Sequence, residues 1–325
     1  MTEESTFLDQ FTPYFERIDK ELGKVLTSEV SLIEEVARYS LFGNGKRLRP
    51  LFFVLSCELC NYRGTDRYSL STIFECLHAA SLLHDDVIDN ADIRRGKASV
   101  NRLWGSPTAI LVGDFLFSKF SRMVVEKKHI ELLKILADTA TRMTEGQVLE
   151  LVNTHNWNLT RKEYMGIITA KTAALISAAC AGGGIVAGAE ETDIQSLKDF
   201  GLNMGIAFQI IDDVFDYSGS VEETGKPMGS DLREGKITLP LIYALTCVTR
   251  EERERLEGVF KNGKASENDY ERVDRLVRGN GAVARCRQDA QDYVNRAAAY
   301  LKLFPDSTIK EYLLRLNQFV VTRSN

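Results

Sequence analysis

Apolar side chains recur at helical spacing through almost the whole chain, and only six prolines interrupt its 325 residues. In FECLHAASLLHDDVID, Phe74, Leu77, Leu82 and Val87 keep a helical period with small residues between them. HIELLKILADTATRMTEGQVLELV and DIQSLKDFGLNMGIAFQIIDDVFDY read the same way, and β-branched alternation is scarce. The breaks are short turns bearing glycine or proline. An all-α fold of many helices around a common core follows. No linker or low-complexity tract divides the chain, which reads as one domain over residues 1–325.

Three segments qualify this picture. Thr172 to Ala189 carries no charge and touches the lower length limit for a membrane span. It is built of Ala, Gly and Ser and is broken by Gly182-Gly183-Gly184, so the expectation is a buried, tightly packed helix pair and no transmembrane segment. Tyr217 to Lys236 holds four glycines and a proline and predicts a long loop of lid type. Arg250 to Arg278 is densely charged and predicts a solvated helical pair.

The net charge of −5 gives no general affinity for a polyanion, so no nucleic-acid partner is expected and any basic site must be local. The first residues, MTEESTFLDQF, lack the basic and apolar signature of an export signal, and the cytoplasm is the expected compartment. The six cysteines fit it as reduced thiols, with Cys57 and Cys60 read as buried small residues.

The chemistry concentrates in two acidic motifs. Asp85 and Asp89 are four residues apart and share a helix face, with Asp86 about 100° round from Asp85. Asp212, Asp213 and Asp216 repeat the internal spacing within FQIIDDVFDYSG. Both sets lie in apolar sequence, where unpaired carboxylates are costly and demand a cation. Hard oxygen donors of this kind suit Mg²⁺, which takes a few carboxylates together with phosphate oxygens and water. Two such helices facing each other would form a jaw of six carboxylates holding several ions.

Cations stand at glycine-marked turns near these motifs. GNGKRLRP offers Lys46, Arg47 and Arg49, His78 precedes Asp85 on the same run, and Arg94 and Arg95 follow it. Lys226 and Lys236 flank the second motif. Such groups are the usual partners of phosphate oxygens. Lys46, Arg49, His78 and Arg95 could hold an anion without metal, so the inventory suits two diphosphates, one bound through metal and one through side chains.

In these residues the chain resembles the trans-isoprenyl diphosphate synthases, or polyprenyl synthetases. The likeness is carried, in order, by GNGKRLRP, ECLHAASLLHDDVIDNADIRRG, GDFLFSKF, TAKTAALISAAC, GIAFQIIDDVFDYSG and GKPMGSDLREGKITLP. Asn44 departs from the family, where many members have a second glycine. The resemblance implies a single large orthogonal helical bundle around a central cavity, and usually a homodimer. It implies that Asp85, Asp86, Asp89, Asp212 and Asp216 coordinate Mg²⁺ on the allylic diphosphate, with Asp213 in support. It places Arg94, Lys171, Thr172, Gln209, Lys226 and Lys236 on the allylic substrate. Lys46, Arg49, His78 and Arg95 are left to hold isopentenyl diphosphate. Ionisation of the allylic C–O bond, attack by the isopentenyl double bond and proton loss to the departing diphosphate complete the implied reaction.

Product length is then expected to depend on Ser81 and Ala80, four and five residues before Asp85, where bulky side chains would stop growth early. Both are small, and the expectation is a product in the C30 to C50 class, octaprenyl first. Ile73, Cys76 and Leu77 lie deeper on the same helix, and Phe120 and Met123, after Gly113, are candidates for the floor. The lipophilic product implies transient membrane contact. The rival readings are a shorter-chain geranylgeranyl or farnesyl diphosphate synthase, a class I terpene cyclase, whose second metal motif normally differs, and a silent subunit of a heteromeric synthase.

Overall fold

The computed structural model describes residues 7–42, 45–218, 229–261 and 265–323. Its principal helices are α1 (Thr12–Val25), α2 (Ser31–Leu41), α3 (Leu48–Leu59), α4 (Asp66–Ile88), α5 (Ser106–Glu126), α6 (Ile130–Val152) and α7 (Arg161–Ile168). A π-turn, Thr169–Ala173, leads into α8 (Ala174–Ala187). There follow α9 (Glu191–Ser218), α10 (Leu239–Leu245), α11 (Arg250–Lys261), α12 (Glu267–Gly279), α13 (Ala282–Tyr300) and α14 (Thr308–Thr322). The strands among the described residues are β1 (Ile93–Arg94) and β2 (Lys97–Ala98). The chain forms two compact units, each assembled from three stretches of sequence.

The first unit comprises residues 1–140, 175–198 and 301–313. Its centre is α4, which packs against α1, α2, α3 and α5. Apolar residues around most of its circumference (Leu70, Ile73, Phe74, Leu77, Ala80, Leu83) are buried, and each large one contributes about 1.5–3 kcal/mol. Phe74 meets Phe53 of α3 with ring centroids 5.3 Å apart. The glycine triplet does not break a helix pair, as its composition suggests; it lies inside the single helix α8. A methyl group on Gly183 would lie 2.6 Å from the Phe53 carbonyl oxygen and 2.8 Å from the Cys57 nitrogen. The triplet therefore lets α8 approach the backbone of α3, and that contact outweighs its low helix propensity.

The second unit comprises residues 141–174, 199–300 and 314–325. The N-terminus of α7 is closed by a capping box in which Thr160 and Glu163 satisfy each other's backbone donors. Trp157, fully buried, meets Phe260 at 5.1 Å, and Phe260 meets Tyr270 edge-on at 5.1 Å. The charged stretch from Arg250 forms α11 and α12, as expected, and buries only Leu256, Phe260, Val273 and Val277. Of the stretch expected as a long loop, residues 219–228 lie outside the described residues. Helix α9 runs through Tyr217, and Ser230–Arg233 forms a helical turn.

By length and composition the run Arg161–Ala187 could cross a membrane, yet 67% of its apolar window is buried inside the protein. All six cysteines are free thiols.

Candidate active site

Two clusters of chemistry-bearing side chains form, one within each unit. In the first unit Asp85 and Asp86 occupy the last turn of α4 and Asp89 caps it, its amide donating to the Asp85 carbonyl at 2.8 Å. The hairpin that follows pairs Arg94 with Lys97, leaving Arg95 and Gly96 as a two-residue turn with φ of 52° and 76°. Two successive positive φ values match the turn type that suits a tight hairpin, and they require glycine or tolerate a polar residue at some strain. Tyr39 fastens the hairpin by donating to the Ala98 carbonyl at 2.7 Å.

This turn sends the two arginines to different partners. Arg94 donates through Nε to Asp86 Oδ1 at 2.7 Å, and its Nη2 donates to the same oxygen. Asp86 is 4% exposed and so is the buried member of its motif, while Asp85 and Asp89 are half-buried. Arg95 instead places Nη2 3.5 Å from His78 Nε2. Burial, followed by the nearby charges of Arg49 and Arg95, holds His78 well below its ordinary value of 6.5. Gly45 is in the same cluster; a methyl there would stand 3.0 Å from Arg95 Nη1. The structure thus brings Arg49, His78, Arg95 and the turn carrying Lys46 together.

Arg47, offered by the sequence as a phosphate ligand, is committed elsewhere. Its guanidinium donates to Asp19 at 2.8 Å, Glu75 at 3.0 Å and the Leu41 carbonyl at 2.5 Å. These bonds offset the cost of its left-handed backbone (φ 49°) and bury it to 5% exposure. Its role is to tie α1, α2 and α4.

Ala80 is buried at 3% exposure and Ser81 is half-buried, with its hydroxyl folded back to donate to the His78 carbonyl at 2.8 Å. Gly113 lies within α5 and receives the His84 ring, whose Nε2 would stand 2.4 Å from an added methyl. Phe120 is buried on α5 and packs against Phe117 at 4.8 Å, and Met123 is half-buried.

In the second unit a cavity of about 150 Å³ is lined by Lys171, Thr172, Gln209, Asp213, Asp231 and Lys236, together with Glu150 and Tyr164. The π-turn makes this possible, since its extra residue per turn re-aims Lys171 and Thr172. Two glycines seat it. A methyl on Gly146 of α6 would lie 2.7 Å from the Lys171 nitrogen, and one on Gly205 of α9 would lie 2.7 Å from the Ala173 Cα.

A relay of hydrogen bonds crosses the cavity wall. Thr172 donates to Gln209 at 2.8 Å, Gln209 donates to Asp213 at 2.8 Å, and Tyr164 donates to the other Asp213 oxygen at 2.6 Å. Burial raises the Asp213 carboxyl to about 7; the bonds from Tyr164 and Gln209 offset part of that rise, and the charges of Asp212 and Glu150 add to it. Lys171 donates to Glu150.

The other two aspartates of this motif have partners that sequence spacing did not suggest. Arg323 donates to Asp212 and to the Phe208 carbonyl at 3.2 Å. Asp216 accepts from the Ser230 amide at 3.0 Å, the Ser230 hydroxyl at 2.6 Å and the Asp231 amide at 3.1 Å. It thereby holds the start of the turn that leads to Lys236. Lys226 and Asn44 lie outside the described residues. Glu150, Tyr164, Asp231 and Arg323 were missed because their partners are distant in sequence. Only Glu150 had a local signal, one turn after the glycine of TEGQVLE.

Residues 30–277 match the family model for polyprenyl synthetase. The octaprenyl diphosphate synthase of Escherichia coli (strain K12) is 36% identical over 298 residues, 92% of each chain. The polyprenyl synthase of Caulobacter crescentus CB15, solved with calcium and isoprenyl diphosphate, superposes with a TM-score of 0.93 at 36% identity, over 98% of this chain and 97% of that one. The geranylgeranyl pyrophosphate synthetase of Pyrococcus horikoshii Ot3 superposes with a TM-score of 0.90 at 32% identity, over 99% and 100% of the chains. The fold is therefore the all-α isoprenoid synthase fold, and the chain belongs to the polyprenyl synthetase family, as a trans-prenyl diphosphate synthase and hence a prenyltransferase.

Proposed function

We propose that this prenyltransferase makes a long all-trans polyprenyl diphosphate, of the octaprenyl class, by repeated addition of isopentenyl diphosphate to an allylic diphosphate such as farnesyl diphosphate. The observation that carries the long product is the pair Ala80 and Ser81. Both are small, and the Ser81 hydroxyl is turned back onto its own helix. Similarity to both octaprenyl and geranylgeranyl synthases leaves chain length to these residues.

The acidic motifs suit Mg²⁺. Asp85, Asp86, Asp89, Asp212, Asp213 and Asp216 offer only hard oxygen donors, although among the described residues no three His, Cys, Asp or Glu side chains gather as a group that could hold a metal ion by themselves. Such a donor set fits an ion that completes its shell with phosphate oxygens and water. Bound Mg²⁺ would supply electrostatic stabilisation of the leaving diphosphate. Lys171 and Lys236 would stabilise the same charge from the cavity, joined by Lys226, and Arg94, Thr172 and Gln209 would orient the allylic substrate. Lys46, Arg49, His78 and Arg95 would hold isopentenyl diphosphate, with Arg95 aimed by its positive-φ turn.

The exposed apolar residues Ile110, Leu111, Phe117 and Val125 along α5 support a homodimer. The free thiols support a reducing compartment such as the cytoplasm.

Incubation with labelled isopentenyl diphosphate and farnesyl diphosphate, followed by mass spectrometry, tests the reading. Products of C30 to C50 are expected. Arrest at C20 would refute the long-chain assignment, and a cyclised hydrocarbon or no elongation would refute the synthase site as drawn.

A further inference from the structure

We propose that Glu150 is an internal stand-in for the substrate diphosphate. It holds Lys171 while the site is empty, yields it to the incoming anion, and by its retained charge speeds the anion's release. The proposal rests on the diphosphate-binding role given above to Lys171 and Lys236.

Three observations carry it. Glu150 Oε2 accepts from Lys171 Nζ and lies 4.0 Å from Lys236 Nζ, which itself donates to Glu234 at 2.7 Å, so the same oxygen pairs directly with one cation and stands at the edge of ion-pair range of the other. The side chains of all three are only about one-fifth exposed (21%, 22% and 19%), so solvent does little of this work. Gly146, one turn earlier on α6, seats the same residue by its backbone, with an added methyl only 2.7 Å from the Lys171 nitrogen. Helix α6 therefore fixes Lys171 at both ends, and the ion pair is imposed by the packing.

Two ammonium groups converging on a partly buried cavity repel each other unless an anion stands between them. In the ligand-free enzyme Glu150 is that anion for Lys171, while Glu234 pairs with Lys236. A diphosphate brings more charge and more acceptor oxygens, and it takes over the lysines. The backbone of Glu150 stays close, because Gly146 one turn earlier is seated against Ala170 and Lys171. The carboxylate then faces a like-charged ligand and weakens its binding. An enzyme that must discharge diphosphate after every condensation gains turnover from such a device.

The test is calorimetric titration of inorganic diphosphate into the full-length enzyme, once with EDTA and once with magnesium. Glu150→Gln is expected to bind diphosphate about tenfold tighter than wild type in EDTA, since a competing and repelling charge is gone. In steady state the same variant should show a lower KM for the allylic substrate together with a lower kcat. The gain should vanish on a Lys171→Gln background, which a general structural effect would not produce. Should Glu150→Gln not fold, Glu150→Asp withdraws the carboxylate from Lys171 by one methylene and should tighten binding about threefold. Equal or weaker binding by the glutamine variant in EDTA overturns the proposal while leaving the diphosphate reading intact. Failure of wild type to bind diphosphate in either buffer overturns both.

Discussion

Arg323 donates to Asp212 and lies with its guanidinium carbon 4.0 Å from the centre of the Phe208 ring, so the end of α14 is fastened to the second aspartate motif. With Arg94 on Asp86 and Lys171 on Glu150, four charged residues proposed to meet substrate or metal (Asp212, Arg94, Asp86 and Lys171) have internal partners. Each cluster is thus pre-neutralised by its own side chains.

Replacing Arg323 with alanine should expose the cost of that neutralisation. A hydrogen bond to a charged group is worth about 1.5–3 kcal/mol, and the lower end applies because the Asp212 side chain is 38% exposed. We expect a loss of about 1.5 kcal/mol, measured by urea unfolding, with a melting temperature lower by about 2–4 °C. An unchanged unfolding midpoint would mean the contact is not maintained in solution.

Gly146 and Gly166 should respond oppositely to alanine. At Gly146 the methyl would meet the Lys171 backbone at 2.7 Å and Ala170 Cβ at 2.9 Å, and overpacking of this kind costs about 1–3 kcal/mol. Displacement of the π-turn should also lower kcat/KM for the allylic substrate. At Gly166, an exposed position of α7, nothing lies within 4 Å, and alanine should stabilise by about 0.5–1 kcal/mol. Thermal melts of both variants, with kinetics, decide this.

His78 makes ligand-free stability pH-dependent. Its folded value is held below 6.5, so when the pH falls past 6.5 the unfolded chain takes up a proton that the folded chain refuses. Its contribution is therefore fully present above that pH and is lost as the pH falls toward the folded value. Melting temperatures from pH 7.5 to 5 should fall less steeply for His78→Asn than for wild type. Parallel curves would contradict the assignment.

The thiols should divide by reactivity. Burial raises Cys60 to about 11 and both Cys76 and Cys180 to about 12, and it also raises Cys57. Cys247 is exposed. Brief maleimide treatment at pH 7.5, read by intact mass, should add one label, mapped to Cys247.

A phenylalanine at position 81 should shorten the product. Ser81 is half-buried one turn before Asp85, and the new ring would reach toward the apolar path proposed for the growing chain. Mass spectrometry should show the distribution shift toward C15 to C20; an unchanged distribution would remove Ser81 from chain-length control.

The helices and both aspartate motifs were legible because a fixed period and an i,i+4 spacing are local properties of the chain. Sorting the basic run was not a local problem. Arg47 and Arg49 look interchangeable in GNGKRLRP, yet a left-handed backbone and the acceptors on Asp19, Glu75 and Leu41 turn Arg47 into a tie. The glycine triplet was misjudged for a related reason. Its weak helix propensity is visible in sequence, while the backbone of α3 that makes those glycines necessary is not. Glu150 likewise acquires meaning only when α6 meets the π-turn.

That triplet has a reach beyond its own helix. Phe53, whose carbonyl oxygen would lie 2.6 Å from a methyl on Gly183, lies one turn after Arg49 on α3. The seating depth of α3 on α8 therefore fixes how far Arg49 and the preceding turn of Lys46 protrude toward His78 and Arg95. A missing methyl on one helix acts as the gauge block for the anion site proposed on another. Selection for substrate affinity can thus act on Gly183 although it touches no substrate.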